Sequence, residues 1–453
     1  MKIIYKTLLF LTNIKFLKKH FNFHKKEIVF VIYDRNLILL FLTNKLLIHM
    51  QQKITWLLLL FLTSITAQNI ESIKLRPLQE NNFSSIVPLG TVLELSFDDL
   101  DADSKEYKYK IEHKTHDWKP SRLLSSQFIN GFDQNTIINV TNSFNTLQSY
   151  THYSVQIPNV NTLITKSGNY LLSVLNNYDE VVFTRRFVYY ENITTVPVSV
   201  TRSRNTKTLN TQQTVQFSIN HSRIRINNPN QEINVTILKN NNWNEVINNI
   251  QPTFFKPNQL LYSYTNKTNF WGGNEYLNFD SKIIRNTSLN IVKITKEDVY
   301  NHYLYPFRYN KYRQYAYNPD INGQFTIRTL EGNDNNTEAD YALMHFSLKV
   351  DEMFLEKEVY VYGAFNNFSI SEKNRMYYNA KNQTYSANIL LKQGFYNYTF
   401  ATIGKDHLLN TNEINGSFFE TENEYTVIIY HKPSGSQYDR VIGVGQGYYS
   451  SNR

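Results

Sequence analysis

The 453-residue sequence contains no cysteine. That absence excludes disulfides, thiolate metal sites and cysteine nucleophiles, so any folded form has to be held by its cores. Alanine is scarce, and no long stretch reads as a helix. Beyond residue 67 there is no apolar run near the roughly 20 residues that a membrane helix needs, so the mature chain is expected to be soluble or peripheral. Also missing are a Gly-x-Ser-x-Gly elbow, a His-Glu-x-x-His pair and a phosphate-binding glycine loop. Paired carboxylates for glycoside hydrolysis are not singled out by anything in the sequence. The reading is therefore a non-enzyme, with no catalytic residue, cofactor or metal assigned.

A charge argument also disappears on inspection. The formal charge is +9, from 47 Lys+Arg against 38 Asp+Glu. Residues 1–67 hold ten of those bases and two of the acids, which leaves 37 against 36 in residues 68–453. A strongly basic chain would invite nucleic acid or anionic lipid; residues 68–453 carry no such excess, and no nucleic-acid partner is expected. The segment from Met50 has the order of a secretory signal: Lys53, then an apolar run Ile54–Leu62, then Ile65-Thr66-Ala67 before Gln68. Residues 50–67 are accordingly read as a signal peptide. Residues 1–49 are read as an extension upstream of a true start at Met50, with a membrane anchor as the alternative.

What the chain does have is aromatic and β-favouring. Aromatics make up 15%, with 33 Tyr and 29 Phe, and Asn is abundant. Tyr, Phe, Ile, Val and Thr suit strands, and Asn suits turns. The expected fold class is all-β, a tandem of immunoglobulin-like or early-set β-sandwich domains. Three segments carry short alternating runs between turn signals. Residues 68–192 contain alternation at Val92–Phe97, Tyr107–Ile111 and Tyr170–Val174, with a last strand at Val182–Val188; Trp118 and Tyr170 are the expected core aromatics. Residues 193–338 contain Val215–Ile219, Ile233–Ile237 and short strands near Leu260 and Asn278. Residues 339–453 contain Tyr341–Val350 and Lys357–Tyr362. There Tyr385–Leu391 and Tyr396–Phe400 read as a hairpin about Lys392-Gln393-Gly394. The glycine-rich tail Gly443–Gly447 reads as frayed.

A few motifs stand out, each with a plain alternative. Asp99, Asp101 and Asp103 have the opening spacing of a calcium loop, but Ser104 and Lys110 stand where Gly and Glu are required, so an acidic turn is expected. His113 and His116 would point to opposite faces of a strand. The Asn-x-Ser/Thr triplets, such as Asn82-Phe83-Ser84 and Asn192-Ile193-Thr194, follow from the composition. Gly363-Ala364-Phe365-Asn366-Asn367-Phe368 is similar to the start of early-set glycogen- and starch-binding modules, with Phe368 in the tryptophan place; a structural turn is expected. Residues 300–317 hold seven Tyr and two Arg without a period and read as a long loop, the kind of segment that is often functional. Tyr303, Tyr305, Arg308, Tyr309, Tyr312, Arg313 and Tyr315 are the candidate partner contact, since Tyr and Arg are enriched in interfaces.

Several longer strings occur in order: Ser72-Ile73-Lys74-Leu75-Arg76-Pro77, Leu95 to Asp103, Tyr109 to His113 with Asp117-Trp118, Gly131-Phe132-Asp133, Asn142 to Gln148, Tyr150 to Tyr153, Asn269 to Glu275, and Tyr438 to Gly445. In these the chain resembles the type IX secretion system plug protein family of Bacteroidetes. The resemblance implies a periplasmic subunit, held at the outer membrane, that occupies the periplasmic mouth of a giant outer-membrane β-barrel translocon and seals it between substrates. It implies no catalytic residues. The competing expectation is a secreted carbohydrate-binding protein that uses residues 339–453.

Overall fold

The computed structural model describes residues 69–79, 82–310 and 312–449. The expected start, signal peptide and cleavage site lie outside the described residues. The regular structure of the described chain is almost entirely strand, organised around three large cores. No helix among the described residues is long and apolar enough to cross a membrane.

The first sandwich forms as the alternation predicts. One sheet runs in the order Ile70–Pro77, Leu93–Asp99, Thr151–Ile157, Asn139–Asn142; the facing sheet runs Ile86–Pro88, Val181–Tyr190, Gly168–Leu175, Lys108–Lys114, Gln134–Thr136. Every second residue of these strands enters the core: Leu95 and Phe97, Tyr109 and Ile111, Tyr170 and Leu172. Phe97 stacks on Tyr153 with ring centroids 5.1 Å apart and meets Tyr107 edge-on. Tyr170 is fully buried as expected. Trp118 is not in this core; it stands half-buried outside it, against the second sandwich.

The second and third bodies do not follow the border expected at 338/339. In the second, one sheet is built on Gln212–Asn220, flanked by Val198–Arg202 and Gln259–Tyr262. Its opposing sheet pairs Ile233–Lys239 with Asn423–His431, and that strand with Arg440–Tyr449. The core between them joins Val215, Ile219, Val235 and Ile237 to Val427, Ile429 and Ile442. The third body, built from strands between Leu277 and Asn410, thus lies within the second along the chain. It is one eleven-stranded sheet running from Leu277–Asp280 through Gly394–Ile403, Glu358–Tyr362, Arg375–Asn379, Thr384–Lys392, Tyr341–Lys349 and Tyr300–Leu304 to Ile291–Lys296, with three short strands off this path. The sheet folds over on itself: Phe346 and Tyr398, on strands that are not neighbours, pack 5.0 Å apart across the core.

Three local expectations are corrected. Thr384–Lys392 and Gly394–Ile403 do not pair as a hairpin. The first pairs with Tyr341–Lys349 and the second with Glu358–Tyr362. Lys392-Gln393-Gly394 is a corner at which the chain passes between layers. Gly394 is required there, because a Cβ would lie 2.2 Å from the Thr326 carbonyl oxygen. The glycine tail is not frayed. It is the ten-residue strand Arg440–Tyr449, and its glycines let residues 194–198 pass directly over it: a Cβ on Gly445 would lie 2.2 Å from the Val196 oxygen, and one on Gly447 2.5 Å from a Val198 methyl carbon. Nor is 300–317 a continuous loop. Tyr300–Leu304 pairs with Ile291–Lys296 and Tyr341–Lys349, and Phe307–Arg308 adds a short strand before the loop begins.

Candidate functional site

The first sandwich is joined to the third through a buried ionic cluster. On Leu93–Asp99 the core side is taken by Leu95 and Phe97, so Asp98 points away from its own core. It is nonetheless 1% exposed, because the third body covers it. Lys392 Nζ donates to Asp98 Oδ2 at 2.7 Å, the Tyr341 hydroxyl donates to the same oxygen at 2.7 Å, and His152 Nδ1 lies 2.6 Å from Oδ1. Burial alone would raise the Asp98 pKa; the charge of Lys392 and the hydrogen bond with His152 outweigh it and hold the carboxyl below its ordinary value. A β-bulge between Glu71 and Lys74, with Ser72 at φ 54°, turns Ser72 Oγ toward the Tyr341 hydroxyl at 2.7 Å. The Lys392 ammonium also sits 4.0 Å from the centroid of the Tyr150 ring.

A second junction ties the first sandwich to the second. Trp118 meets Trp243 edge-on at 4.7 Å, and the Arg186 guanidinium lies 4.7 Å from the Trp118 centroid. Arg440 grips the Glu191 carboxylate with two bonds of 2.7 and 2.6 Å. The Tyr430 hydroxyl donates to Asn169 Oδ1 at 2.9 Å. Asp439, 1% exposed, accepts the His116 backbone N–H at 2.9 Å; burial would raise its pKa, but the His116 bonds hold it down. Both junctions are buried and cross-linked by hydrogen bonds and ion pairs at their centres, which favours one rigid unit over jointed domains.

The residues singled out in the sequence separate into two groups. Tyr303 stacks on His345 at 4.2 Å, and Tyr309 packs edge-on against Phe354. The Arg313 guanidinium lies 4.7 Å from the Phe307 centroid, and the Tyr315 hydroxyl donates to Glu275 at 2.6 Å. These four serve the third body's own packing and its seam with the second. Tyr305, Arg308 and Tyr312 point outward: Tyr305 is 60% and Tyr312 84% exposed, and Arg308 reaches only a loose contact with Asp351 at 3.7 Å. Elsewhere, Gly131-Phe132-Asp133 presents Phe132 to solvent beside Val160. The Phe132 N–H donates to the Asn161 oxygen, which lies 2.2 Å from where a Gly131 Cβ would stand.

The remaining motifs resolve as internal chemistry. Asp99, Asp101 and Asp103 do converge, and the cation among them is the Lys105 ammonium, 3.0 Å from Asp99 and 3.2 Å from Asp103 and also bonded to Asp101. His113 is enclosed by Phe128, Tyr170 and Tyr438, and burial pushes its pKa down to about 4; His116 faces Asp439 instead. Phe368, in the tryptophan place, is buried against Tyr362 and Ala401 rather than presented as an open ring face for a sugar.

Sequence reasoning missed Asp98, His152, Tyr341 and Lys392. The available signal was the charge of Lys392 after the apolar Ile389-Leu390-Leu391, while Asp98 is masked by the acidic run Asp99, Asp101 and Asp103, and no spacing links positions so far apart.

Residues 70–191 match the family model described as "Type 9 secretion system plug protein 1st domain". Among solved structures the chain is similar to a hypothetical protein from Parabacteroides merdae ATCC 43184, with 30% identity and a TM-score of 0.80 over 84% of this chain and 97% of that one. A partial N-terminal region of an enterococcal surface protein aligns at 6% identity with a TM-score of 0.18, which carries no argument. No curated protein matches the chain.

Proposed function

The chain belongs to the type IX secretion system plug protein family, and from that premise we propose that it is a non-catalytic periplasmic subunit that seals the periplasmic opening of the system's outer-membrane translocon. The observation that supports the reading beyond family membership is the pair of buried junctions around Asp98 and Trp118, which tie three cores together. A wide protein-conducting pore leaks unless a folded object fills it, and an object with hinged domains would leak as well. The near balance of 37 bases and 36 acids in residues 68–453 gives no strong electrostatic trapping, so release stays available. The giant β-barrel is the proposed partner. Tyr305, Arg308 and Tyr312 are the proposed contact, with Tyr303, Tyr309, Arg313 and Tyr315 holding that segment in place. The buried Phe368 argues against the carbohydrate-binding alternative.

Affinity purification of the tagged protein from gently solubilised outer membranes of its own host tests this. Stoichiometric recovery of a giant barrel subunit is the expected result. Recovery of the protein free in the medium, or retained on polysaccharide without a barrel partner, would overturn it.

A further inference from the structure

Where the three bodies meet there is a cavity of about 310 Å³, within the size range of small-ligand sites. The first sandwich lines it with Lys74, Arg76, Arg185 and Arg186, the second with Trp243, and the third with Phe325, among others. Among the described residues, four cationic side chains face it and no carboxylate does.

Arg185 is the telling residue. On Val181–Tyr190 the alternation places Phe183, Phe187 and Tyr189 in the first core, and Arg185 stands in that same row, opposite Leu172 of the neighbouring strand. An arginine at a position that the pattern assigns to an apolar side chain costs stability unless its charge is met. Here the guanidinium has no carboxylate: it donates to the Thr184 carbonyl beside it at 2.8 Å and lies near the Phe183 ring. Arg185 is half-buried, and that desolvation pulls its pKa down to about 10. Lys74 is similar. Ile73 and Leu75 pack toward the core, which leaves Lys74 on the cavity side with neither a hydrogen bond nor an ion pair; burial and the charge of Arg76 push its pKa down to about 8. The nearest acids do not neutralise the group. Asp98 is held by Lys392 and His152, and Glu94, opposite Arg76 in the sheet, forms no ion pair with it. Arg76 spends one N–H on the Phe325 carbonyl at 3.2 Å, and Arg186 is stacked on Trp118.

We propose that this cavity binds a small multivalent oxyanion, a phosphate or a di- or tricarboxylate, held by Lys74, Arg76, Arg185 and Arg186. Guanidinium forks match both chemistries, and a ligand there touches all three bodies at once. It would thus fasten the junction, and its loss would loosen it.

The test is titration of the purified full chain with inorganic phosphate and with citrate at matched ionic strength, followed by calorimetry and by tryptophan emission, since Trp243 is in the cavity wall. A saturable response to either ion is expected, with at least roughly tenfold weaker binding in Arg185→Met and in Lys74→Met, the loss typical of one charge-assisted hydrogen bond. Whichever ion binds more tightly identifies the chemistry. Should Arg185→Met fail to fold by circular dichroism, Arg186→Gln on the exposed wall replaces it. No saturable response to either ion, or an unchanged response in the folded variants, would overturn the proposal.

Discussion

The Asp98 cluster allows a quantitative test of the interlock. In Lys392→Met the methionine fills similar volume, but the Asp98 carboxylate stays at 1% exposure without its cation. Removing one partner of a buried ion pair costs about 3–5 kcal/mol. Two features place this case toward the low end: the carboxylate keeps the Tyr341 hydroxyl and His152. One pushes the other way, because the ammonium also lies over Tyr150 at 4.0 Å and that contact is lost with it. About 3 kcal/mol is expected, read from urea unfolding followed by tryptophan emission and circular dichroism. The double variant Asp98→Asn/Lys392→Met keeps an acceptor for Tyr341 and buries no charge, so it should recover at least about 1 kcal/mol relative to additivity. The pH dependence has a definite sign. Asp98 has a depressed folded pKa, so its contribution is present above the unfolded carboxylate value near 3.9 and is lost as pH falls through the folded value. The gap between wild type and Lys392→Met should therefore close in acid. If Lys392→Met is within about 0.5 kcal/mol of wild type at neutral pH, the range of ordinary surface substitutions, or if the two substitutions simply add, the junction is not held as argued.

Three further outcomes are expected. His113 has its folded pKa at about 4 against an ordinary 6.5; between those values the unfolded chain takes up a proton that the folded one refuses, so stability falls as pH drops through that window, by on the order of 3 kcal/mol in total. His113→Gln should flatten that slope in thermal denaturation scans, whatever its effect at pH 7. Gly445→Ala places a carbon against the Val196 carbonyl oxygen and should cost about 1–3 kcal/mol by overpacking, measured by the same urea unfolding. Arg308→Glu combined with Tyr312→Ser removes exposed groups only, so the melting temperature should stay within about 2 °C, the response to a few tenths of a kcal/mol, while co-purification of the translocon falls; unchanged co-purification would move the contact elsewhere.

How much of this was legible in the sequence follows from what alternation encodes. A period of two says which side of a strand is buried, and it placed Leu95, Phe97, Ile111, Tyr170 and Leu172 correctly because each strand of the first sandwich meets its neighbours within one segment of chain. It says nothing about which strand lies next door. Tyr385–Leu391 and Tyr396–Phe400 both alternate, so the turn between them looked like a hairpin; only the tight contact of Gly394 with Thr326 reveals a corner. The glycine tail looked frayed because glycine weakens a strand on its own, whereas here the missing side chains are what lets residues 194–198 lie on it. The candidate contact residues divide between packing and solvent for a similar reason. Tyrosine enrichment marks a surface or internal packing equally well, and Tyr303 went to the third body's own sheet and Tyr315 to its seam with the second while Tyr305 and Tyr312 went to solvent.

The interleaving of the second and third bodies was the least legible feature and has the largest consequence. Ile233–Lys239 finds its partner in Asn423–His431, with the whole third body between them along the chain. Closing so long a loop is entropically costly only logarithmically with length, so an insertion of this size is tolerated once its own core folds. The outcome is that neither body can detach alone. Separating the third from the second needs both connecting stretches, 272–276 and 411–422, to give way, and these are themselves cross-tied: Asn274 Nδ2 donates to the Asn415 oxygen at 2.9 Å, and the Phe418 N–H to the Gly273 oxygen at 2.7 Å. With the first sandwich fastened to both through Lys392 and Arg440, the three cores share their boundaries, and a force on one is resisted by all three. That is the mechanical property the proposed seal would need, and it arises from chain order as much as from any single contact.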